Sequence, residues 1–110
     1  MLYFYHRNLL QYFDEILSGD DVKIGKPNPQ IFLTAAEKLN CQAQNCFVIE
    51  DSLHGVQAAL AAKMHLIAVP YLIQDKYNEA FYQADYLATK GMQNFNPEKA
   101  FTLINEIKNE

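Results

Sequence analysis

Two short polar segments of the 110-residue sequence contain the side chains best suited to chemistry. The first, residues 25–29, reads Gly-Lys-Pro-Asn-Pro and places Lys26 just ahead of a predicted helix. An ammonium group close to the positive end of a helix dipole attracts anions, and phosphate above all. The alternative is that Lys26 is a solvated loop lysine and that the prolines only set the turn. Its position in a loop favours that simpler interpretation.

The second segment is Glu50-Asp51-Ser52, which directly follows a run of apolar residues. Two adjacent carboxylates at the end of a buried strand repel each other unless a positive group lies beside them. Mg²⁺ is a common solution, because it takes oxygen ligands and keeps several waters. Alternatively, Asp51 or Ser52 caps the next helix while Glu50 points into water. Both can hold together, since a cap uses only one oxygen. His54 is a weaker candidate for a substrate contact, because a lone surface histidine is more often simply solvated.

Unbroken apolar runs predict the strands that would position these segments. Residues 46–49 and 65–69 have the length and composition of strands buried on both faces of a parallel sheet, and residues 85–88 are a weaker third. Residues 15–18 are an earlier presumed strand that ends in the turn signal Gly-Asp-Asp at 19–21. For that end, a turn is favoured over a loop on the substrate side.

Helical spacing and cap residues predict three helices. Asn28 is a good N-cap with Pro29 at the first helical position, and Asn96 and Pro97 repeat this pattern before the last helix. The apolar positions of the three helices are Ile31, Phe32, Ala35, Ala36 and Leu39; Leu53, Val56, Leu60 and Met64; and Phe101, Ile104 and Ile107. The alternation of strands and helices is typical of one α/β domain with a parallel sheet, over residues 1–110.

Composition excludes several classes of protein. Half of the residues are hydrophobic and 20% are charged, so the chain can bury a core and is not disordered. The net charge of −4, without a basic block, argues against a nucleic-acid binder that neutralises phosphates. The apolar runs are too short to span a membrane. Two cysteines make no disulfide framework, and we therefore expect a cytoplasmic protein.

Three segments in order resemble the haloacid dehalogenase (HAD) superfamily, and in particular its β-phosphoglucomutase and sugar-phosphate phosphatase branch. They are residues 12–23 (YFDEILSGDDVK), residues 25–32 (GKPNPQIF) and residues 48–59 (VIEDSLHGVQAA). Three linked motifs in the same order are far more specific than any one of them. The resemblance covers residues 12–87.

The resemblance implies a Rossmann-like α/β core, with parallel strands and flanking helices, that transfers phosphate through an aspartate nucleophile. It implies a Mg²⁺-dependent phosphatase or phosphomutase acting on a small phosphorylated metabolite. Lys26 would be the catalytic lysine that balances the charge of the nucleophile and the phosphoryl group. Glu50 and Asp51 would hold Mg²⁺ directly or through water, and Lys26, Ser52 and His54 would contact the substrate. This is electrostatic stabilisation combined with a metal clamp.

The sequence departs from the family pattern in four respects. It contains no Asp-x-Asp, the motif that supplies the nucleophile and the general acid, and it has no Ser or Thr before Ser18 for the second motif. A substrate-selecting cap domain would lie further upstream. Lys63 stands where relatives have glycine at a helix end, which costs on the order of 1 kcal/mol if the backbone there is left-handed.

These departures predict a partial core, the carboxyl-terminal portion of such an enzyme, in which the nucleophile strand and the cap are absent. Its strands would form two groups on either side of a gap, with exposed edges that favour self-association. We expect no turnover by this chain alone. The alternative is a non-catalytic interaction module that oligomerises or pairs with a chain supplying the missing strands.

Overall fold

The computed structural model describes residues 10–70 and 78–108, and within them three strands form one parallel sheet. The strands are β1 (Phe47–Glu50), β2 (His65–Ala68) and β3 (Tyr86–Leu87), with β2 in the centre. In the register, Phe47 is opposite His65, and Glu50 is opposite Ala68. The predicted α/β fold with a parallel sheet is therefore confirmed, although β1 is shifted by one residue from its apolar run and β2 and β3 are shorter than theirs.

Three helices accompany the sheet: α1 (Gln30–Lys38), α2 (Leu53–Ala61) and α3 (Pro97–Lys108). Helix α1 begins one residue later than predicted, so Pro29 takes the N-cap position instead of the first helical position. Asn28 still contributes, since its side-chain oxygen accepts a hydrogen bond from Gln30 N at 2.9 Å. At α3 the predicted start is correct, and the Asn96 side chain accepts from Lys99 N at 3.0 Å.

The main core lies between one face of the sheet and the helices α1 and α2. Strand residues point alternately to the two faces, so Val48 and Leu66 share this face. They pack with buried small residues of the helices and with Phe81, which is fully buried in the short 3₁₀ helix Glu79–Gln83. The alanines of α2 let that helix approach the sheet closely, which brings its first turn to the end of β1.

The opposite face of the sheet is covered in part by α3. Ile104 and Ile107 line a cavity together with Phe47 and His65, whose rings stack at a centroid distance of 4.8 Å. The prediction that Phe101 lies on the packed face of this helix is wrong, because its side chain is 67% exposed. Ala100, one residue earlier, is buried in its place.

Two further predictions about the strands are wrong. Residues 15–18 form no strand; instead Ser18 caps the 3₁₀ turn Gly19–Asp21 in a reciprocal capping box with Asp21. The preferred turn at residues 18–21 is therefore the correct alternative. The expected gap between two groups of strands is also absent from the described residues, because β1, β2 and β3 are hydrogen-bonded neighbours in one sheet.

The conditional prediction about Lys63 is confirmed in its geometry. Lys63 has φ +59°, and the hydrogen bonds from Lys63 N to Leu60 O and from Met64 N to Ala59 O close a Schellman motif. Asn40 ends α1 in the same way with φ +55°. Met64, predicted on the face of α2, is buried but lies after the end of that helix. Among the described helices, none combines the length and apolarity that crossing a membrane requires.

Candidate functional site

The two polar segments singled out from the sequence meet at the carboxyl end of β1. Lys26 Nζ donates a hydrogen bond to Glu50 Oε2 at 2.8 Å, and the two groups form an ion pair. The side chain of Glu50 is only 10% exposed and that of Lys26 is 34% exposed. In parallel α/β sheets, ligand sites lie at this edge of the sheet. Lys26 is therefore a partly buried, paired cation and not a freely solvated loop lysine.

The loop around Lys26 is held by one hydrogen bond to α1 and one within the loop. Ile24 N donates to the side-chain oxygen of Gln30 at 2.8 Å, and Asn28 N donates to Gly25 O at 3.1 Å. The Lys26–Pro27 peptide bond is cis. The ammonium group also lies 5.1 Å from the centre of the Phe32 ring, within the range of a cation–π interaction. These contacts direct the lysine toward the end of β1.

The carboxylate of Glu50 is fully engaged by its neighbours. Its Oε1 accepts hydrogen bonds from Asp51 N at 3.2 Å and from Ser52 Oγ at 3.2 Å, while Oε2 accepts from Lys26. Burial alone would raise the pKa of Glu50. The hydrogen bond and charge of Lys26, helped by hydrogen bonds at Ser52 and Asp51, outweigh burial and hold that pKa below its ordinary value. Glu50 is thus an anion matched to one cation, contrary to the alternative in which it points into water.

Gly55 makes room for this carboxylate. A Cβ atom built on Gly55 would overlap the carboxyl group of Glu50, so no other residue fits there without displacing the ion pair. This role of Gly55 was not inferred from the sequence. The sequence does contain a signal for it. A glycine inside a helix destabilises the helix by about 1 kcal/mol relative to alanine, so its presence in α2 indicates that the position has no room for a side chain.

Ser52 is the N-cap of α2. Its Oγ accepts a hydrogen bond from Gly55 N at 3.1 Å and donates to Glu50 Oε1. Of the two residues considered for the cap, Ser52 takes the role and Asp51 does not. Because the Ser52 hydroxyl donates its proton to Glu50, Ser52 orients the carboxylate. The predicted contact of Ser52 with a substrate stays a prediction.

Asp51 is the exposed carboxylate of the site. Because Lys26 already balances the charge of Glu50, Asp51 is the group that remains available to a cation. Mg²⁺ is commonly held by one or two carboxylates together with waters and substrate phosphate oxygens. Asp51 fits that requirement for one ligand. Within residues 10–70 and 78–108, no group of three or more His, Cys, Asp or Glu side chains is arranged to hold a metal.

His54 lies apart from this arrangement. It is exposed in the first turn of α2, and no hydrogen bond or ion pair joins it to Lys26 or Glu50. The structure therefore brings Lys26, Glu50, Asp51 and Ser52 together, while His54 is exposed and bonded to neither Lys26 nor Glu50. A partly buried cation, a matched carboxylate and a free carboxylate at one strand end can bind an anionic group and a divalent cation side by side.

Known proteins of one family resemble this chain across both polar segments. The model of the haloacid dehalogenase-like hydrolase family matches residues 2–69, which include the two segments. A phosphorylated carbohydrates phosphatase of Thermotoga maritima is 35% identical over 91% of this chain and 44% of its own length. A phosphoglycolate phosphatase of Nitrosospira multiformis is 39% identical over 77% of this chain and 40% of its own.

A solved structure shows the same fold. The β-phosphoglucomutase of Clostridium difficile superposes with a TM-score of 0.66 and 30% identity, covering 89% of this chain and 41% of that protein. The chain thus spans less than half the length of each of these three relatives.

Proposed function

Because the chain belongs to the haloacid dehalogenase-like hydrolase family, we propose that it supplies the cationic and acidic half of a phosphoryl-transfer site. The observation that supports this most directly is the 2.8 Å ion pair between Lys26 and Glu50 beside the free carboxylate of Asp51. The reaction is the hydrolysis or intramolecular transfer of a phosphate monoester. The substrate is a small phosphorylated metabolite, the class named for the relatives from Thermotoga and Nitrosospira.

Each residue has a distinct role in this proposal. Lys26 contacts an oxygen of the phosphoryl group and offsets negative charge that accumulates during transfer. Glu50 positions Lys26 through their ion pair. Asp51 binds Mg²⁺, which would neutralise phosphoryl oxygens when bound. Ser52 and Gly55 hold Glu50 in place.

The sequence contains no Asp-x-Asp to form a phosphoaspartate. Lys26 and Glu50 are held in their ion pair and the proposal assigns Asp51 to Mg²⁺, so none of the three is free to act as the nucleophile. The 110 residues therefore bind the phosphate group without turning the ester over. The complete reaction requires a carboxylate nucleophile from polypeptide outside these residues.

A hydrolysis assay tests this proposal. The purified chain, with Mg²⁺ and p-nitrophenyl phosphate, is expected to release phosphate no faster than its Lys26→Gln variant. A rate that depends on both Mg²⁺ and Lys26 would contradict it, because the chain would then contain its own nucleophile. The matched variant removes the ambiguity of a contaminating phosphatase, whose rate is the same in both samples.

A second candidate function is that of a non-catalytic interaction module, in which two copies of the chain associate through the edge of the sheet. It is favoured by Ile49, which is 57% exposed in the middle of β1, the strand that lies at one edge of the described sheet. An unpaired edge with an exposed apolar side chain favours strand pairing between molecules. Analytical ultracentrifugation would then show a dimer that Ile49→Lys dissociates and Leu33→Lys on α1 does not. A monomer at all concentrations would exclude this function.

A further inference from the structure

A cleft of about 360 Å³ lies at the carboxyl end of the sheet, next to Asp51. Residues that follow all three strands line it: Asp51 after β1, Val69 and Pro70 after β2, and residues 90–93 after β3. Its volume is within the range of sites for small ligands. It therefore extends from the proposed phosphoryl-transfer site across the central strand to the far side of the sheet.

The cleft has opposite charges at its two ends. Asp51 and Lys90 are both exposed, and the two ion pairs found among the described residues, Lys26–Glu50 and His65–Asp85, use neither of them. Since neighbouring strands lie about 4.8 Å apart, the segments that follow β1 and β3 are separated by roughly 10 Å. Lys90 is thus a cation without a described partner, at a distance from Asp51 that a small metabolite can span.

The segment that presents Lys90 is held against the centre of the sheet. Gly91 has φ +74°, its N donates to Ala88 O at 3.0 Å, and a Cβ built on it would lie 3.3 Å from Pro70 O. The left-handed backbone favours glycine, and any side chain here would also press against Pro70 O. Between the two charged ends, Val69 and Pro70 offer apolar surface and Gln93 offers an amide.

From this arrangement, and resting on the function proposed above, we propose that the cleft binds the end of the substrate that is not transferred. Lys90 there binds a second anionic group, a phosphate or a carboxylate. The carbon chain of the substrate lies over Val69 and Pro70 while its transferred phosphate is held beside Lys26 and Asp51. The substrates are accordingly small phosphate monoesters that have a second anionic group at the end away from the transferred phosphate.

Three ligands with one carbon skeleton test the proposal. Glucose 6-phosphate has one anionic group, glucose 1,6-bisphosphate has a second phosphate, and 6-phosphogluconate has a carboxylate. Binding to the ¹⁵N-labelled chain is followed by NMR at constant Mg²⁺, in the wild type and in Lys90→Gln. The exposed Lys99→Gln on α3 is the matched control, because Lys99 does not line this cleft.

We expect at least one of the doubly anionic ligands to bind roughly fivefold more tightly than glucose 6-phosphate. Lys90→Gln should abolish that preference, and Lys99→Gln should leave it unchanged. Which ligand is preferred identifies the second anion as phosphate or carboxylate. Equal binding of all three ligands, or a preference that survives Lys90→Gln, would overturn the proposal.

The same titration separates this inference from the function on which it rests. In Lys26→Gln, binding of all three ligands should weaken, because each has the phosphate that Lys26 contacts. If glucose 6-phosphate binds Lys26→Gln as well as it binds the wild type, the proposed phosphoryl site is wrong. If that binding depends on Lys26 and nothing depends on Lys90, only the subsite is wrong.

Discussion

Lys26 and Glu50, separated by 24 positions in the sequence, form an ion pair of 2.8 Å at the end of the first strand. The pair has two consequences for the chemistry. It balances the charge of Glu50 and gives both of its oxygens hydrogen-bond donors. It also leaves Asp51 as the exposed carboxylate of the site, and the proposed function therefore assigns the anion to Lys26 and the cation to Asp51.

The pKa of Glu50 should depend on Lys26. In the wild type it lies below its ordinary value, because the charge and hydrogen bond of Lys26 outweigh burial. In Lys26→Met only burial and the weaker hydrogen bonds remain, so the pKa should rise above that of the wild type. A pH titration of the ¹³C-labelled carboxyl by NMR measures the change, with Lys38→Met as the control. An unchanged pKa would show that the pair does not form in solution.

The same shift makes stability depend on pH. Because the pKa of folded Glu50 lies below that of the unfolded chain, ionised Glu50 stabilises the fold at pH values above the unfolded pKa. That contribution is lost as the pH falls through the folded pKa. Urea denaturation should show this loss in the wild type and a smaller one in Lys26→Met, which we expect to be about 1–2 kcal/mol less stable near neutral pH.

Gly55→Ala should disrupt the site through packing alone. The added methyl group overlaps the carboxyl group of Glu50, so the carboxylate or the start of α2 must move. We expect a loss of about 2 kcal/mol in the free energy of unfolding, together with a changed Glu50 pKa. Gly19→Ala is the control, because nothing lies within 4 Å of a Cβ built there. Equal stability of the two variants would contradict the close approach.

Asp51 should be the ligand through which this chain binds Mg²⁺. The binding should be weak, because one carboxylate supplies few of the roughly six oxygens that Mg²⁺ requires. Titration with Mg²⁺ should shift the amide signals of residues 50–52, and Asp51→Asn should abolish those shifts. Asp20→Asn, in the exposed turn at 19–21, should leave them intact. Shifts that persist in Asp51→Asn would place the cation elsewhere.

Lys63→Gly should stabilise the fold. Lys63 has φ +59°, a conformation that glycine adopts without a steric penalty. The gain should be about 0.5–1 kcal/mol by urea denaturation, reduced by the greater freedom of glycine in the unfolded chain. Asn40→Gly is the comparison, since asparagine tolerates φ +55° better and should gain less. A loss of stability in Lys63→Gly would contradict the Schellman geometry.

The sequence predicts the residues of the site better than it predicts the bounds of the strands and the packed faces of the helices. Residues 46–49 and 65–69 are identifiable as parallel strands because every position is apolar or nearly so, but burial on both faces is wrong for β1, where Ile49 is 57% exposed. The polar residues that follow them are therefore expected at one edge of the sheet. The meeting of Lys26 with Glu50 is indicated by the resemblance of their motifs, since spacing alone leaves a loop lysine and an acidic pair unconnected.

The errors arise where tertiary contacts decide. Residues 15–18 are apolar enough for a strand, but Ser18 and Asp21 satisfy the local backbone in a turn. Phe101 has helical spacing with Ile104, yet on α3 Ala100 is buried and Phe101 is exposed. The positions of Gly55 and Lys90 do not follow from the pattern, because a close approach and a shared cleft are properties of the folded chain.

The most direct test of the phosphoryl site is the affinity of the chain for inorganic phosphate in the presence of Mg²⁺, measured by ¹⁵N NMR. We expect shifts at Lys26 and at residues 50–52, an affinity reduced at least about tenfold in Lys26→Gln, and no change in Lys38→Gln. Circular dichroism of each variant confirms that it is folded. Equal affinity of Lys26→Gln and the wild type for phosphate would contradict the central claim, because Lys26 would then take no part in binding the phosphoryl group.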